Sequence, residues 1–278
     1  MAAAATAFFD KIFRRKKPAP LVCSVGLDAS DEHDHDHEQP PHQHTAACFL
    51  PFEPLAILEL FQSQGCSACP PAIPAILEGA AQLGPNVLLL TYNVTLFDHL
   101  GWKDTLADRR LGDARQRAYA RKWGRKDLYT PMVVGNGSVN GPGAGGKAEM
   151  EGIVTRSRAG NGDLGWTVYL DINDQESAVR IDSDRVVVEE GDGSEVFEVV
   201  MAVYDPRPQT VKVKSGTNKG KKLEHQNVVT ELVRVGEWRG ANVTLPLPMT
   251  NAGLPRGHEA VVFLQGPAGG KIVAAVKL

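Results

Sequence analysis

The stretch "ELFQSQGCSACPPAIPAIL", residues 59–77, places two cysteines three positions apart, Cys66 and Cys69, between a short apolar run and a helix-like one. With the upstream "PLAILELF" the first run reads as a buried strand, Gln64 and Gly65 as a turn, and the segment carrying Ile73, Ile76 and Leu77 as a helix. "GPNVLLLTYNVT" (84–95) follows as a second strand, its continuous apolar residues suiting a parallel or central position. Strand, cysteine turn, helix and strand make a βαβ unit. CxxC alone fits a redox centre, a metal clip or two small core residues, so the rest of the chain has to discriminate.

At 278 residues the chain is one large or two modest domains, and two is the working number. An apolar fraction of 42% with 23% charged residues is ordinary for a globular protein that buries a core. A net charge of −3 and a pI near 6.2 leave no basic footprint for nucleic acid. No run approaches the ~18 apolar residues of a spanning helix. "MAAAATAFFDKIFRRKKPAP" (1–20) has its apolar residues before its basic cluster, the reverse of a secretory signal, and reads as a solvated tail. Its Phe8, Phe9, Ile12 and Phe13 ahead of four basic residues also fit an import sequence or peripheral contact with an anionic membrane. The expectation is an intracellular, cytoplasmic protein. There a CxxC is catalytic or metal-binding more often than structural, and four cysteines (Cys23, Cys48, Cys66, Cys69) do not make a disulfide scaffold.

Residues 1–53, with "DEHDHDHEQPPHQH", lack the apolar surface to offset ordering entropy and read as a disordered leader. "DTLADRRLGDARQRAYARKWG" (104–124) contains no proline and favours a helix or helix pair. "LYTPMVV" (128–134) is an extended segment running into the Asn-Gly turns of a hairpin, and "GPGAGG" reads as a flexible loop. Residues 147–190 look like strands with weakly specified ends. From Glu195 onward short strands bounded by Gly, Pro, Asn or Asp indicate a sandwich or sheet.

Thiol–disulfide exchange requires a thiolate, and the first cysteine of a CxxC at a helix N-terminus obtains one from unpaired N–H groups and the helix dipole. Cys66 meets that description, and Cys69, one turn on, is placed to resolve a mixed disulfide. Gly65 lets the backbone turn sharply, while Ser67 and Ala68 are too small to cover the first sulfur. In the thioredoxin fold such a helix faces a loop whose proline follows a cis peptide bond. "YTP", Tyr129 to Pro131, has the right neighbours, with the Thr130 backbone free to pair with an extended partner; an ordinary trans proline at a strand start fits too.

Several separated blocks, "LELFQSQGCSACPP", "LLLTYNVTLFDHLGWKD", "RQRAYA", "LYTPMVV-GNG" and "GEWRGANVTLPLP", resemble in order the uncharacterised thioredoxin-like proteins catalogued as domain of unknown function 1223. The resemblance spans roughly 54–278. It implies a thioredoxin-like domain with an additional β-rich part, with Cys66 and Cys69 in the family's cysteine motif and Pro131 in its Thr-Pro turn, and no established substrate.

Two features depart from a standard oxidoreductase. Pro70, Pro71 and Pro74 crowd the helix, so it is expected to begin near Pro70 or Pro71, leaving Cys66 just before it and less acidified. No obvious buried acid serves as proton acceptor; Glu59 is the one candidate, against a surface or edge-strand glutamate. In "FDHLGWKD" His99 is a candidate for raising the thiolate fraction and Trp102 for shielding the cysteines, beside a plainer reading in which Trp102 caps the core and Asp98 or Asp104 starts the next helix. Arg109, Arg110, Arg115, Arg117 and Arg121 read as a solvated helix face, and His225 and His258 as exposed strand residues. The tract His33, His35, His37, His42 and His44, read with the two sulfurs, offers a Cu or Zn site as an alternative.

The sequence therefore predicts an α/β thioredoxin-like domain over 54–152 and an appended β-rich, sandwich-like domain over 153–278. The expected function is a thiol–disulfide oxidoreductase without a resident cofactor, acting on a protein or small-molecule thiol or disulfide. Cys66 attacks, Cys69 resolves, and Thr130 and Pro131 position the partner. The alternatives are metal transfer through the same cysteines and an interaction module with a structural disulfide.

Overall fold

A computed structural model describes residues 53–162, 164–173, 175–185 and 196–278. The leader expected over 1–53, with its histidine tract, Cys23 and Cys48, lies outside them except for Glu53. The opening stretch folds as read. β1 (Ala56–Gln62) is buried along its whole length, α1 (Cys69–Ala81) crosses over, and β2 (Val87–Asn93) pairs with β1 in parallel, Ala56 opposite Val87 through Gln62 opposite Asn93. Continuous apolar residues suit strands covered on both faces. Pro70 and Pro71 occupy the first turn of α1, where a missing N–H removes no helical bond, while the exposed Pro74 lies inside the helix.

The arginine-rich segment forms a π-helical turn, Arg109–Asp113, capped by the Asp108 carboxylate, and continues as α2 (Ala114–Lys122). A Cβ on Gly112 would lie 2.3 Å from the Asn93 carbonyl, so only glycine lets this turn approach β2. β3 (Met132–Gly135) runs antiparallel to β1 and to β4 (Val139–Gly141), turning at Asn136 and Gly137, both at positive φ. Residues 147–162, expected as part of a strand region, are instead helix α3 (Lys147–Gly162), whose Met150, Ile153, Val154 and Ser157 form one buried stripe.

The later strands are β5 (Val168–Asn173), β6 (Ala178–Ser183), β7 (Phe197–Asp205), β8 (Gln209–Lys212), β9 (Lys222–His225), β10 (Val228–Trp238), β11 (Val243–Pro246), β12 (Glu259–Gln265) and β13 (Ile272–Lys277). They overturn the expected fold class. The chain is mostly β, built on one mixed eight-stranded sheet in the order β13-β12-β7-β10-β2-β1-β3-β4, and is not an α/β thioredoxin-like domain with a sandwich appended. The physical reason lies at β2, which is not an edge. Val228 of β10 pairs with Thr91, the Thr91 N–H donates to the Asn227 carbonyl at 2.8 Å, and the Asn227 amide donates to the Leu89 carbonyl at 2.7 Å. One apolar core crosses this seam, joining Ile57, Phe61, Tyr92 and Tyr119 to Tyr204, Val261 and Phe263. A second core lies between β1, α1 and α3, and a third where β7, β10 and β12 meet the three-stranded sheet β11-β6-β5. Among the described residues no helix is long and apolar enough to cross a membrane.

Candidate functional site

Alternation along β1 assigns its side chains to two faces: Ile57, Glu59 and Phe61 to one, Leu58, Leu60 and Gln62 to the other. The chain leaves the strand on the second of these, turning through Ser63, whose carbonyl accepts from the Cys66 N–H at 3.1 Å. Gly65 is required here because a Cβ would sit 2.6 Å from the Phe97 carbonyl. Cys66 and Cys69 are both free thiols, 3% and 2% exposed, in the core shared with Leu60, Ile73, Ile76 and Phe97. Ser67 and Ala68 between them are exposed.

The two sulfurs differ sharply in acidity. Donation from the Cys69 thiol, opposed by burial and aided by Thr130 and the Ala68 and Cys69 backbone, lowers Cys66 from 9.0 to about 5. Cys69, holding that shared proton and buried, is pushed far up from the same ordinary value. Helix α1 does begin after Cys66, as its prolines require, and its N-cap Ala68 offers no side-chain bond. The acidity of Cys66 nonetheless survives, because its main source is the neighbouring thiol.

Thr130 and Pro131 come to the same place from the start of β3, joined by a cis peptide bond. The protonated Cys66 thiol donates to the Thr130 carbonyl at 3.3 Å. The Thr130 hydroxyl is buried and has no partner by distance, yet it lowers the Cys66 pKa, which makes it a donor for the thiolate form.

The remaining expected site residues are not brought to the sulfurs. Glu59 is buried, 0% exposed, and so is no surface residue, but it points to the opposite face of the sheet. Arg115 grips both its oxygens and the Tyr119 hydroxyl donates to it, while the Arg115 guanidinium lies 5.2–5.8 Å from the ring centres of Tyr92, Tyr119 and Phe263. A carboxylate so engaged, across a β-strand from the thiols, does not take their proton. Arg115 is accordingly a core residue, whereas Arg109, Arg110, Arg117 and Arg121 are exposed as expected. His99 is exposed on a 3-10 turn against Phe97. Trp102 is half-buried and spends its indole N–H on the Gln64 side-chain oxygen at 2.8 Å, bracing the cysteine turn instead of covering it. Asp104 starts no helix: its carboxylate accepts from the Gln64 N–H at 2.7 Å and from the Asn93 amide, and burial raises its pKa.

The structure adds residues that sequence reasoning missed. Asn218, fully buried in the loop between β8 and β9, donates to the Gln64 carbonyl at 2.9 Å and the Cys66 carbonyl at 2.7 Å. His225 in β9, expected as an exposed strand residue, is 1% exposed, with its Nδ1 2.7 Å from the Gln62 amide, and burial lowers its pKa to about 4. A cavity of about 90 Å³ lies between α1 and the β8-β9 hairpin, with Cys69, Ile73, Leu223 and His225 in its wall. No local signal links residues more than 150 positions apart. As for the metal alternative, no three His, Cys, Asp or Glu side chains gather into a ligand set among the described residues.

The model of the family described as "Protein of unknown function (DUF1223)" matches residues 57–265. An X-ray crystal structure of a protein from Agrobacterium tumefaciens is 32% identical with a TM-score of 0.59, covering 80% of this chain and 93% of that one. HBP35 of Porphyromonas gingivalis is 14% identical with a TM-score of 0.49, over 82% of this chain and 75% of that one. No curated protein matches the chain.

Proposed function

The chain belongs to the DUF1223 family, and for it we propose the chemistry of a thiol–disulfide oxidoreductase in which Cys66 attacks and Cys69 resolves. The observation that carries this reading is the split acidity of the pair. Cys66, at about 5, is a thiolate at neutral pH, while Cys69 keeps its proton. In the forward direction the Cys66 thiolate attacks one sulfur of a disulfide R–S–S–R, forming Cys66–S–S–R and expelling R–S⁻. Cys69 then loses its proton and attacks the Cys66 sulfur, forming the Cys66–Cys69 disulfide and releasing a second R–S⁻. Two electrons pass from the pair to the partner, and a thiol of the surroundings restores the pair by the reverse steps.

Thr130 supports both stages, its carbonyl accepting from the thiol and its hydroxyl facing the thiolate. Asn218 holds the carbonyls on either side of Gly65 and so fixes the turn that presents Cys66. With both sulfurs buried, a partner reaches them by displacing cover near the exposed Ser67 and Ala68, which favours a narrow, extended substrate over a broad surface.

The pair of variants Cys66→Ser and Cys69→Ser tests the proposal with oxidised glutathione as the disulfide. With Cys23 and Cys48 replaced by serine throughout, intact-mass measurement is expected to show one glutathione retained on Cys69→Ser, none on Cys66→Ser, and loss of two hydrogens where both Cys66 and Cys69 remain. Glutathione retained equally by both variants, or a pair potential below about −300 mV as for structural disulfides, would overturn the redox reading.

A further inference from the structure

Resolution of a mixed disulfide requires more than a second sulfur, because Cys69 must surrender its proton inside the core, where burial opposes the thiolate even once Cys66, the proton's main partner in the reduced pair, is tied up as a disulfide. Glu59 is locked to Arg115 and Tyr119 on the far face of the sheet. Asp104 is engaged by the Gln64 and Leu106 N–H groups and the Asn93 amide, and does not line the cavity beside Cys69. Resting on the oxidoreductase reading, we infer that His225 is the proton acceptor for Cys69, receiving the proton across the small cavity whose wall the two side chains share.

Three observations support the assignment. First, the cavity of about 90 Å³ contains Cys69 and His225 in one wall, and a water needs only ~10–15 Å³ of such volume, so a short water chain fits between them. A drug-sized ligand takes ~300–1,000 Å³ and does not fit. Second, His225 is uncharged at neutral pH because burial disfavours its cation, so a basic nitrogen is available. Third, the hydrogen-bond pattern says which nitrogen it is. The Gln64 side-chain oxygen accepts from the Trp102 indole at 2.8 Å and the Thr105 N–H at 3.2 Å, which turns its amide nitrogen toward His225 Nε2 at a loose 3.5 Å. A donor faces Nε2, which places the ring proton on Nδ1; the Gln62 amide nitrogen lies 2.7 Å from Nδ1, and because the two ends of that amide have the same shape, a half-turn of its plane brings the oxygen there to accept the Nδ1 proton. Nε2 then carries the lone pair, faced by the loose 3.5 Å contact from Gln64.

The groups around the ring are the Gln62 and Gln64 amides, the Cys69 side of α1, and Gln209 opposite on β8; Lys222 and Glu224 lie exposed on its own strand. The proton leaves Cys69 Sγ as the Cys69–Cys66 bond forms and R–S⁻ departs. It passes over Nε2, which burial keeps from retaining it, to solvent through the cavity. His225 oxidises and reduces nothing.

The full chain, with Cys23 and Cys48 replaced by serine so that they release no thione, is reacted in stopped flow with 2,2′-dithiodipyridine, whose first thione reports attack by Cys66 and whose second reports resolution by Cys69. Replacing the acceptor, His225→Gln is expected to leave the first phase unchanged and to slow the second by ~10²-fold, the usual weight of general base catalysis. The pH profiles separate a proton acceptor from a merely structural histidine. Wild-type resolution is expected to be flat between pH 5 and 8, whereas in H225Q it climbs about tenfold per pH unit as Cys69 must ionise by itself. Equal second phases in the two proteins overturn the inference. If H225Q does not fold, the wild-type profile decides alone: flat supports His225, and a tenfold rise per unit overturns it. A second phase absent from the wild type, with no Cys66–Cys69 disulfide in a peptide map, removes the oxidoreductase reading itself.

Discussion

Two buried polar clusters hang from opposite faces of β1. On one face Glu59 is saturated: both oxygens meet Arg115, Tyr119 adds a hydroxyl, and Gln265 in turn donates to Tyr119 at 3.1 Å. On the other, Cys66 carries its charge with a thiol proton, a hydroxyl and backbone N–H groups as its support. Both sites bury a negative charge within a few residues of each other, yet they suit different ends. A permanent guanidinium cannot be given away, so the Glu59 cluster is inert and joins the two halves of the sheet. A proton can be given away, which is what the proposed exchange asks of the cysteine cluster.

The largest expected effect breaks the inert side. Glu59→Gln leaves the Arg115 cation buried without its counter-charge and should cost about 3–5 kcal/mol of stability, read from denaturant melts. The pH midpoint of Cys66 alkylation by iodoacetamide should stay near 5 in that variant; a shift of a full unit would show that the two faces are coupled and the contrast false. Smaller is the effect of Asn218→Ala, which strips a donor from two carbonyls beside Cys66 and should cost about 1–3 kcal/mol. It should also speed Cys66 alkylation at pH 7 by loosening the turn, and an unchanged rate would deny Asn218 its role in presenting the sulfur.

The last effect is a slope, gained gradually over several pH units. Between pH 6.5 and 9 the folded reduced pair has released a proton from Cys66 that the unfolded chain retains, so stability of the reduced protein rises with pH, by at most about 1.4 kcal/mol per unit for one proton. Above pH 9 the unfolded chain loses both thiol protons while folded Cys69 keeps its own, and the gain reverses. Below 6.5 the neutral, buried His225 adds a loss of stability as pH falls toward 4, since the unfolded chain protonates first. Cys66→Ser should flatten the slope above 6.5 and leave the acid loss, and a slope that survives the substitution would assign it to another group.

The local structure of the cysteine side was legible. Cys66 before the helix, Cys69 opening it, Gly65 in the tight turn and the Thr130–Pro131 segment each carry their meaning in residue type and spacing. So did the parallel pairing of β1 and β2 and the Asn136-Gly137 hairpin turn. Helix α3 was misread as strand: Met150, Ile153, Val154 and Ser157 have helical spacing, but glycines at both ends and Gly152 within it masked the signal. What could not be read was every decision that depends on distant pairing. Glu59 looks identical on either face of a strand until its partners are known, and Arg115 reads as a solvated arginine until Glu59 is set beneath it. His225 follows the alternation of an ordinary strand, and nothing near it reveals that its hairpin lies beside α1.

By itself, then, the sequence determined the family, the βαβ opening and the identity of the sulfur pair, because those rest on the conformational limits of glycine and proline and on apolar spacing, all settled within a few residues. Only the tertiary structure decided that β2 continues into β10 instead of ending a domain, that Glu59 is sealed away, and that His225 and Asn218 lie beside the cysteine turn. Those outcomes depend on which backbone groups find partners across more than a hundred residues, and a hydrogen bond formed at that range leaves no periodicity in the chain.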